Sequence, residues 1–95
     1  MKFISVGYHN YIPLDRIVMI MDFNSPACRR LREVYRERYG EGVYEYILDF
    51  TRGRKSQAAV LLTTGHLVLS VRSRKFLFNS ASTEIEVDDA EPKTP

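Results

Sequence analysis

The chain has 95 residues, with 14 Lys and Arg against 12 Asp and Glu and a single cysteine. This length suits one domain with a modest hydrophobic core. No apolar run reaches the roughly 18 residues of a membrane span, and one cysteine excludes an internal disulfide. The N-terminal segment lacks the apolar stretch and cleavage site of a signal peptide. We therefore expect a cytoplasmic protein.

Positive charge is concentrated in the body of the chain. Residues 1–83 contain 13 Lys and Arg against 7 Asp and Glu, whereas residues 84–95 carry a net charge of −4. Most of the basic residues are arginines, whose planar guanidinium suits bidentate contact with phosphate. This balance favours nucleic acid as a partner. We expect a single domain over residues 1–83, followed by an acidic, disordered tail over residues 84–95.

The first half of the chain predicts two strands and a helix. Alternating polar and apolar residues over Lys2–Val6 indicate a short strand that is followed by a turn. Tyr11–Phe23 is an almost continuous apolar run rich in β-branched residues, which is typical of a strand buried on both faces. Ser25 caps the predicted helix, Pro26 begins it and Gly40 ends it.

The two faces of this helix differ in chemistry. Its apolar face consists of Cys28, Leu31, Val34, Tyr35 and Tyr39. Its other face carries Arg29, Arg30, Arg32, Glu33, Arg36 and Glu37. That face is either solvated and held by Arg–Glu pairs, or it is a recognition helix that contacts DNA. The glutamates favour the first interpretation, because they would repel phosphate. We expect Cys28 to be buried and inert.

The second half of the chain predicts three more strands. Val43–Thr51 places aromatic residues on one face, and Gln57–Thr63 with Leu67–Val71 forms a hairpin pattern around Thr64-Gly65. Ser73–Ser82 is ambiguous, since its apolar side chains need burial in a final element or against another subunit. The order β-β-α-β-β-β predicts an α+β fold with a small, mostly antiparallel sheet and one main helix.

Catalytic and metal-binding patterns are missing from the sequence. His9 and His66 fall in predicted turns without a cysteine, histidine or carboxylate at ligand spacing. The carboxylates are scattered, and the glycine-rich nucleotide-binding motifs are absent. We therefore expect a protein that is not an enzyme and that uses no metal, cofactor or small-molecule substrate.

Basic residues surround a glycine in the segment Thr51–Ser56, which reads Thr-Arg-Gly-Arg-Lys-Ser. Glycine lets a backbone approach a ligand closely, so the segment is either a phosphate-binding loop or a solvated turn. A second basic cluster, Arg72–Lys75, follows the last strand. Arg16 lies beside the apolar run and needs either a carboxylate partner, Asp15 or Asp22, or an external anion.

Several of these features together resemble a known family. They are Gly7, Asn10, Ile12, Arg16, the strand Ile17–Ile20, the Ser25-Pro26 helix with Arg29-Arg30-Leu31, Gly53-Arg54-Lys55, Ala59–Leu62 and Gly65–Ser70. Over residues 3–72 their order and spacing are similar to those of the bacterial RemA-type extracellular-matrix regulators. The resemblance implies a DNA-binding transcriptional regulator with a LytTR-like fold. It also implies assembly into a ring that presents arginines to DNA wrapped around it.

The resemblance assigns DNA contacts to specific residues. The family's arginine on the early strand falls on Arg16, and its basic pair after the loop glycine falls on Arg54 and Lys55; Arg52 adds charge to the same loop. We expect the sheet to bring Arg16, Arg54 and Lys55 onto one surface. The expected partners are double-stranded DNA and further copies of the chain, with no membrane. The segment Ser73–Ser82 does not match the closing helix of the family.

A second interpretation of the segment Thr51–Ser56, here called the basic loop, stays open. The protein is then a non-enzymatic interaction or scaffold module, and its loop binds an acidic protein or another anion.

Overall fold

A computed structural model describes residues 2–82 of the chain. Its elements are β1 Phe3–Gly7, β2 Asn10–Pro13, a 3-10 turn Leu14–Arg16, β3 Ile17–Asp22, α1 Pro26–Tyr39, a 3-10 helix Gly40–Glu45, β4 Ile47–Asp49, β5 Ala58–Leu62, β6 Leu67–Ser70 and α2 Arg74–Ser82. This order confirms the α+β class with one main helix. The predicted acidic tail lies outside the described residues. Within them, no helix is both long and apolar enough to cross a membrane.

The strands form a hairpin and a four-stranded sheet. β1 and β2 pair with each other, and the larger sheet has the order β3-β5-β6-β4. The β3–β5 and β5–β6 pairs are antiparallel, and β4 is parallel to β6. The prediction of a mostly antiparallel arrangement is thereby confirmed, as is the β5–β6 hairpin around Thr64-Gly65.

The apolar run Tyr11–Phe23 is not the doubly buried strand that its composition predicts. It divides into β2, a 3-10 turn and β3, and β3 lies at the edge of the sheet. Val18 and Met19 are 58% and 49% exposed. The prediction was wrong because an apolar run does not indicate whether a strand lies at the edge or in the centre of a sheet.

The strands buried on both faces are β5 and β6. Successive β5 residues point to opposite faces, so Ala58 and Val60 join one core cluster while Ala59 joins the other. The first cluster contains Ile4, Val6, Ile12, Ala58, Val60, Val68 and Leu77. The second contains Met21, Cys28, Val43, Ile47, Ala59, Leu67 and Leu69. The sheet therefore separates the β1–β2 hairpin and α2 on one side from α1 on the other.

Helix α1 begins and ends as the sequence predicts. The Ser25 hydroxyl accepts a hydrogen bond from the Cys28 backbone N–H at 3.1 Å, and Pro26 is the first helical residue. Gly40 ends the helix with a φ of 54°. Cys28 is fully buried, which confirms the expectation of a thiol shielded from solvent.

The predicted strand over Val43–Thr51 begins as the end of a 3-10 helix, Gly40–Glu45. Only Ile47–Asp49 is extended, and Tyr44 is 78% exposed. The Tyr46 ring stacks on Tyr39 of α1, with ring centroids 3.8 Å apart. The alternating aromatic pattern misled the prediction because Tyr46 stacks against α1 while Tyr44 is exposed to solvent, so the two rings do not share one face of a strand.

The ambiguous segment Ser73–Ser82 forms α2 from Arg74 to Ser82. Leu77 is fully buried in the first core cluster, whereas Phe76 and Phe78 remain 44% and 53% exposed. The chain thus does have a closing helix at the position where the sequence pattern departs from the family.

Candidate nucleic-acid interface

The basic loop is a tight turn anchored by Asp49. The Thr51 backbone N–H and hydroxyl both donate to Asp49 Oδ1, at 2.9 and 2.6 Å, and Thr51 is 1% exposed. The Arg54 N–H donates to the Thr51 carbonyl at 3.0 Å. Arg52 and Gly53 have φ values of 54° and 82°, and the left-handed region favours glycine. The turn leaves its basic side chains exposed.

The tip of the β1–β2 hairpin lies against this loop. The Ser70 hydroxyl donates to the Val6 carbonyl at 2.8 Å. Gly7 approaches Val71 so closely that a Cβ atom at Gly7 would be 2.6 Å from Val71 Cγ2. This contact places Tyr8 beside the loop, where the Arg52 guanidinium lies 4.5 Å from the centre of its ring. Such a cation–π contact orders the arginine while leaving its N–H groups available.

These segments line a solvent-open pocket of about 470 Å³, here called the basic pocket. Its lining consists of Tyr8, Arg54, Lys55, Gln57, Val71 and Arg72. Arg72 stacks on Phe76, with its guanidinium carbon 4.7 Å from the ring centre. Since three of the lining residues are cationic and none is acidic, the pocket attracts anions.

Arg72 was not among the residues predicted for the site. The signal was present in the second basic cluster, but the sequence alone does not show that residues 71–72 meet the loop at residues 54–57. The neighbouring Arg74 is partly neutralised, since its Nε lies 3.4 Å from Asp22 Oδ2. Arg72 therefore contributes more than Arg74 to the charge of the basic pocket.

Arg16 lies at the opposite end of β5 from the basic pocket. Its carbonyl accepts a hydrogen bond from the Thr63 N–H, while the Gln57 carbonyl accepts one from the Phe23 N–H. The span from Gln57 to Thr63 corresponds to roughly 20 Å of extended strand. One subunit thus brings Arg52, Arg54 and Lys55 together, but it does not add Arg16 to them.

The predicted partner of Arg16 is present only as a weak contact. Arg16 Nε lies 3.9 Å from Asp15 Oδ1, and both side chains are mostly exposed. Exposed ion pairs at such distances contribute little. Asp22 pairs with Arg74 instead. Arg16 therefore remains available to an external anion.

The arginines of α1 do not form the Arg–Glu pairs that the sequence predicts. Arg29 donates to the Asn24 carbonyl at 3.3 Å, and Arg32 donates to the Phe23 carbonyl at 2.9 Å. Within residues 2–82 no ion pair joins Glu33 to a helix arginine. Arg29 and Arg32 thus use backbone carbonyls that precede the helix as acceptors.

The histidines have structural contacts. His66 stacks on Tyr46 at 5.8 Å and its Nδ1 lies 2.7 Å from the Thr64 hydroxyl. His9 lies in the exposed turn between β1 and β2. Across the described part of the chain, no group of three or more His, Cys, Asp or Glu side chains is placed so that it could hold a metal ion.

The fold and the site define a small α+β domain with an exposed cationic pocket. The family model "Extracellular matrix regulatory protein A-like", or RemA-like, matches residues 3–79. The chain therefore belongs to the RemA-like family, which confirms the resemblance found in the sequence.

Curated relatives carry names that describe regulatory proteins. The chain is 32% identical over 69 residues to one from Nitratidesulfovibrio vulgaris (strain DP4), covering 73% of each chain. It is 34% identical over 70 residues to proteins from Bacillus cytotoxicus and Bacillus mycoides (strain KBAB4), covering 74% of each chain.

Proposed function

We propose that this protein is a cytoplasmic, DNA-binding transcriptional regulator that assembles into a ring and binds DNA phosphates through its arginines. Membership of the RemA-like family and the names of its relatives support the regulatory role. The observation that carries the DNA-binding part is the basic pocket, where Arg54, Lys55 and Arg72 converge.

The chemistry of the basic pocket suits a phosphate backbone. Guanidinium groups form bidentate contacts with phosphate oxygens, and the Tyr8 ring holds Arg52 beside the pocket. Helix α1 is a poorer candidate for contact with DNA, because Glu33 and Glu37 are exposed on it. Sequence preference then comes from the bendability of the DNA rather than from direct contact with its bases.

Assembly into a ring supplies the contacts that one subunit lacks. A few phosphate contacts give weak binding, since each contributes through the release of counterions. Repeating them around a ring raises the avidity without new chemistry. The exposed edge strand β3, with Val18 and Met19, supports association because exposed apolar edges favour contact with another chain.

A salt-titrated binding assay with labelled duplex DNA tests this proposal. The wild-type protein should bind with an affinity that falls steeply as salt rises. Arg54→Ala should bind at least about tenfold more weakly and with a shallower salt dependence. The matched control is Arg30→Ala, which removes an exposed arginine from α1 and should bind like the wild type.

Two outcomes would overturn the proposal. If Arg54→Ala binds DNA normally, the basic pocket does not contact DNA. If Arg30→Ala loses as much affinity, α1 is the recognition element. Light scattering at micromolar concentration tests the ring, because a mass equal to one chain would exclude it.

A further inference from the structure

A second and more enclosed pocket, of about 250 Å³, lies on the α1 side of the sheet. Residues of α1, the following 3-10 helix, β4 and β6 contribute to its walls. Among these residues are Phe23, Arg32, Arg36, Val43, Ile47 and Leu69. We call it the arginine pocket, because two arginines of α1 line it together with apolar side chains, Asp49 and Ser56.

Arg32 lies in this wall with an unsatisfied nitrogen. Its guanidinium carbon lies 3.9 Å from the centre of the Phe23 ring, and its Nη2 donates to the Phe23 carbonyl at 2.9 Å. Its Nε is buried without a hydrogen-bond partner. Within residues 2–82 no carboxylate forms an ion pair with it. Buried polar nitrogens are normally hydrogen-bonded, so Arg32 Nε lacks an acceptor among the described residues.

The carboxylate that shares the pocket is already engaged. Asp49 also lines the arginine pocket, but its Oδ1 accepts two hydrogen bonds from Thr51. No carboxylate within residues 2–82 therefore serves as the acceptor for Arg32. Arg36 adds a second positive charge at the same pocket.

We propose that the arginine pocket binds a small metabolite with an oxyanion head, either phosphate or carboxylate, and a compact apolar body. The two guanidinium groups suit a planar or tetrahedral oxyanion. The side chains of Phe23, Val43 and Ile47 suit the apolar part. The volume admits one small molecule and excludes a nucleic-acid strand.

This pocket is physically connected to the basic loop. Asp49, which precedes the basic loop, and Ser56, which is its last residue, both line the arginine pocket. An anion in the pocket repels the Asp49 carboxylate, whose bonds to Thr51 anchor the turn. Binding should therefore shift the loop that carries Arg54. This regulatory step rests on the proposed function, whereas binding of the metabolite does not.

The first experiment measures binding at Arg32 directly. The Nε–Hε resonances of ¹⁵N-labelled protein are followed by NMR during titration with inorganic phosphate or benzoate at constant ionic strength. Arg54→Ala/Lys55→Ala protein is used so that the basic pocket cannot account for the signal. Arg32→Lys assigns the resonance.

The Arg32 resonance should move saturably with at least one probe. Saturation by phosphate alone identifies a phosphate ligand, and saturation by benzoate identifies a carboxylate on an apolar body. Adding Arg36→Ala should weaken binding about tenfold, whereas adding Arg30→Ala should leave it unchanged. An Arg32 resonance that does not saturate with either probe would overturn the proposal.

The second experiment measures DNA affinity with and without the saturating probe at fixed ionic strength. The probe should change the affinity of the wild type more than that of Arg36→Ala, because Arg36→Ala binds the probe about tenfold more weakly. Saturation at Arg32 without a change in DNA affinity would overturn the connection to the loop. A wild-type protein that binds no DNA would refute the proposed function, while the Arg32 titration would still decide the metabolite site.

Discussion

The two ends of strand β5 carry arginines in different settings. At one end, the β1–β2 turn, the basic loop and residues 71–72 converge, so that Arg54, Lys55 and Arg72 line a common pocket. At the other end, Arg16 stands next to Asp15, which lies 3.9 Å away. One end concentrates positive charge, while the other exposes a single cation beside a carboxylate.

This difference indicates what an assembly must add. A phosphate can meet several cations at the basic pocket of one subunit. Arg16, roughly 20 Å away along the strand, reaches the same DNA only if a neighbouring subunit or a bent duplex closes that distance. The contribution of Arg16 should therefore depend on the ring, whereas that of Arg54 should not.

The largest expected effect is at the basic pocket. Arg54→Ala/Lys55→Ala should reduce DNA affinity by about a thousandfold, because each subunit of a ring loses two phosphate contacts. Both side chains are exposed, so the free energy of unfolding should change by less than about 0.5 kcal/mol. Circular dichroism and elution volume serve as controls for the fold. If the folded double variant binds DNA with normal affinity, the basic pocket is not the end of β5 that contacts DNA.

The next largest effect is on stability, at the contact between Gly7 and Val71 beside the basic pocket. Gly7→Ala should destabilise the protein by about 2–3 kcal/mol, because its Cβ would lie 2.6 Å from Val71 Cγ2 at a φ of 113°. Gly53→Ala is the matched control, since its φ is 82° and no atom lies within 4 Å of the added Cβ. It should cost only about 1 kcal/mol. Equal midpoints in urea unfolding would show that the contact with Val71 is not tight.

Local features of the sequence predicted the local structure well. The Ser25 cap, Pro26 and Gly40 fix α1 through interactions that span a few residues, and Thr64-Gly65 similarly fixes the β5–β6 turn. The loop at Arg54 is recognisable for the same reason. Its glycine and its basic residues are contiguous in the chain.

Features that depend on distant neighbours were not predictable in this way. The exposure of Val18 follows from the edge position of β3, and the 3-10 helix before β4 follows from stacking of Tyr46 on Tyr39. The separation of Arg16 from Arg54 follows from the antiparallel pairing of β3 with β5. Arg16 precedes β3 and Arg54 precedes β5, and the starts of antiparallel partners lie at opposite ends.

A smaller effect is expected at the Arg16 end. Arg16→Ala should weaken DNA binding by the ring about tenfold, since one phosphate contact is lost from each subunit. Asp15→Ala is the matched control, and it should bind slightly more tightly because it removes a carboxylate beside the arginine. The same salt titration measures both variants. A loss as large as that of the Arg54 and Lys55 variant would mean that the two ends contribute equally.

The turn beside Arg16 offers a pH-dependent measurement. The Tyr35 hydroxyl donates to the Gly65 carbonyl at 2.6 Å, and its loss in Tyr35→Phe should cost about 1 kcal/mol. Burial, with the neighbouring Tyr39, raises the pKa of Tyr35 above its ordinary value. Because the folded state favours the protonated phenol, this stabilisation is present below a pH of about 10 and is lost as the pH rises further.

The comparison for Tyr35 is therefore between two pH profiles. Wild-type stability, measured by urea unfolding, should fall more steeply above a pH of about 10 than that of Tyr35→Phe. Parallel profiles would show that the phenol titrates equally in the folded and unfolded states.

The smallest effect is expected from removal of residues 84–95. This segment carries a net charge of −4 and lacks apolar periodicity, so its deletion should leave the melting temperature nearly unchanged. DNA affinity should rise by about twofold to threefold at low salt, because negative charge that repels phosphate is removed, and the gain should vanish as salt screens it. A full-length variant separates the effect of charge from that of length. In it, the acidic residues of the segment are changed to their amides, namely Glu84, Glu86, Asp88, Asp89 and Glu91. If deletion lowers the melting temperature by several degrees, the segment belongs to the folded domain, and the boundary at residue 83 is wrong.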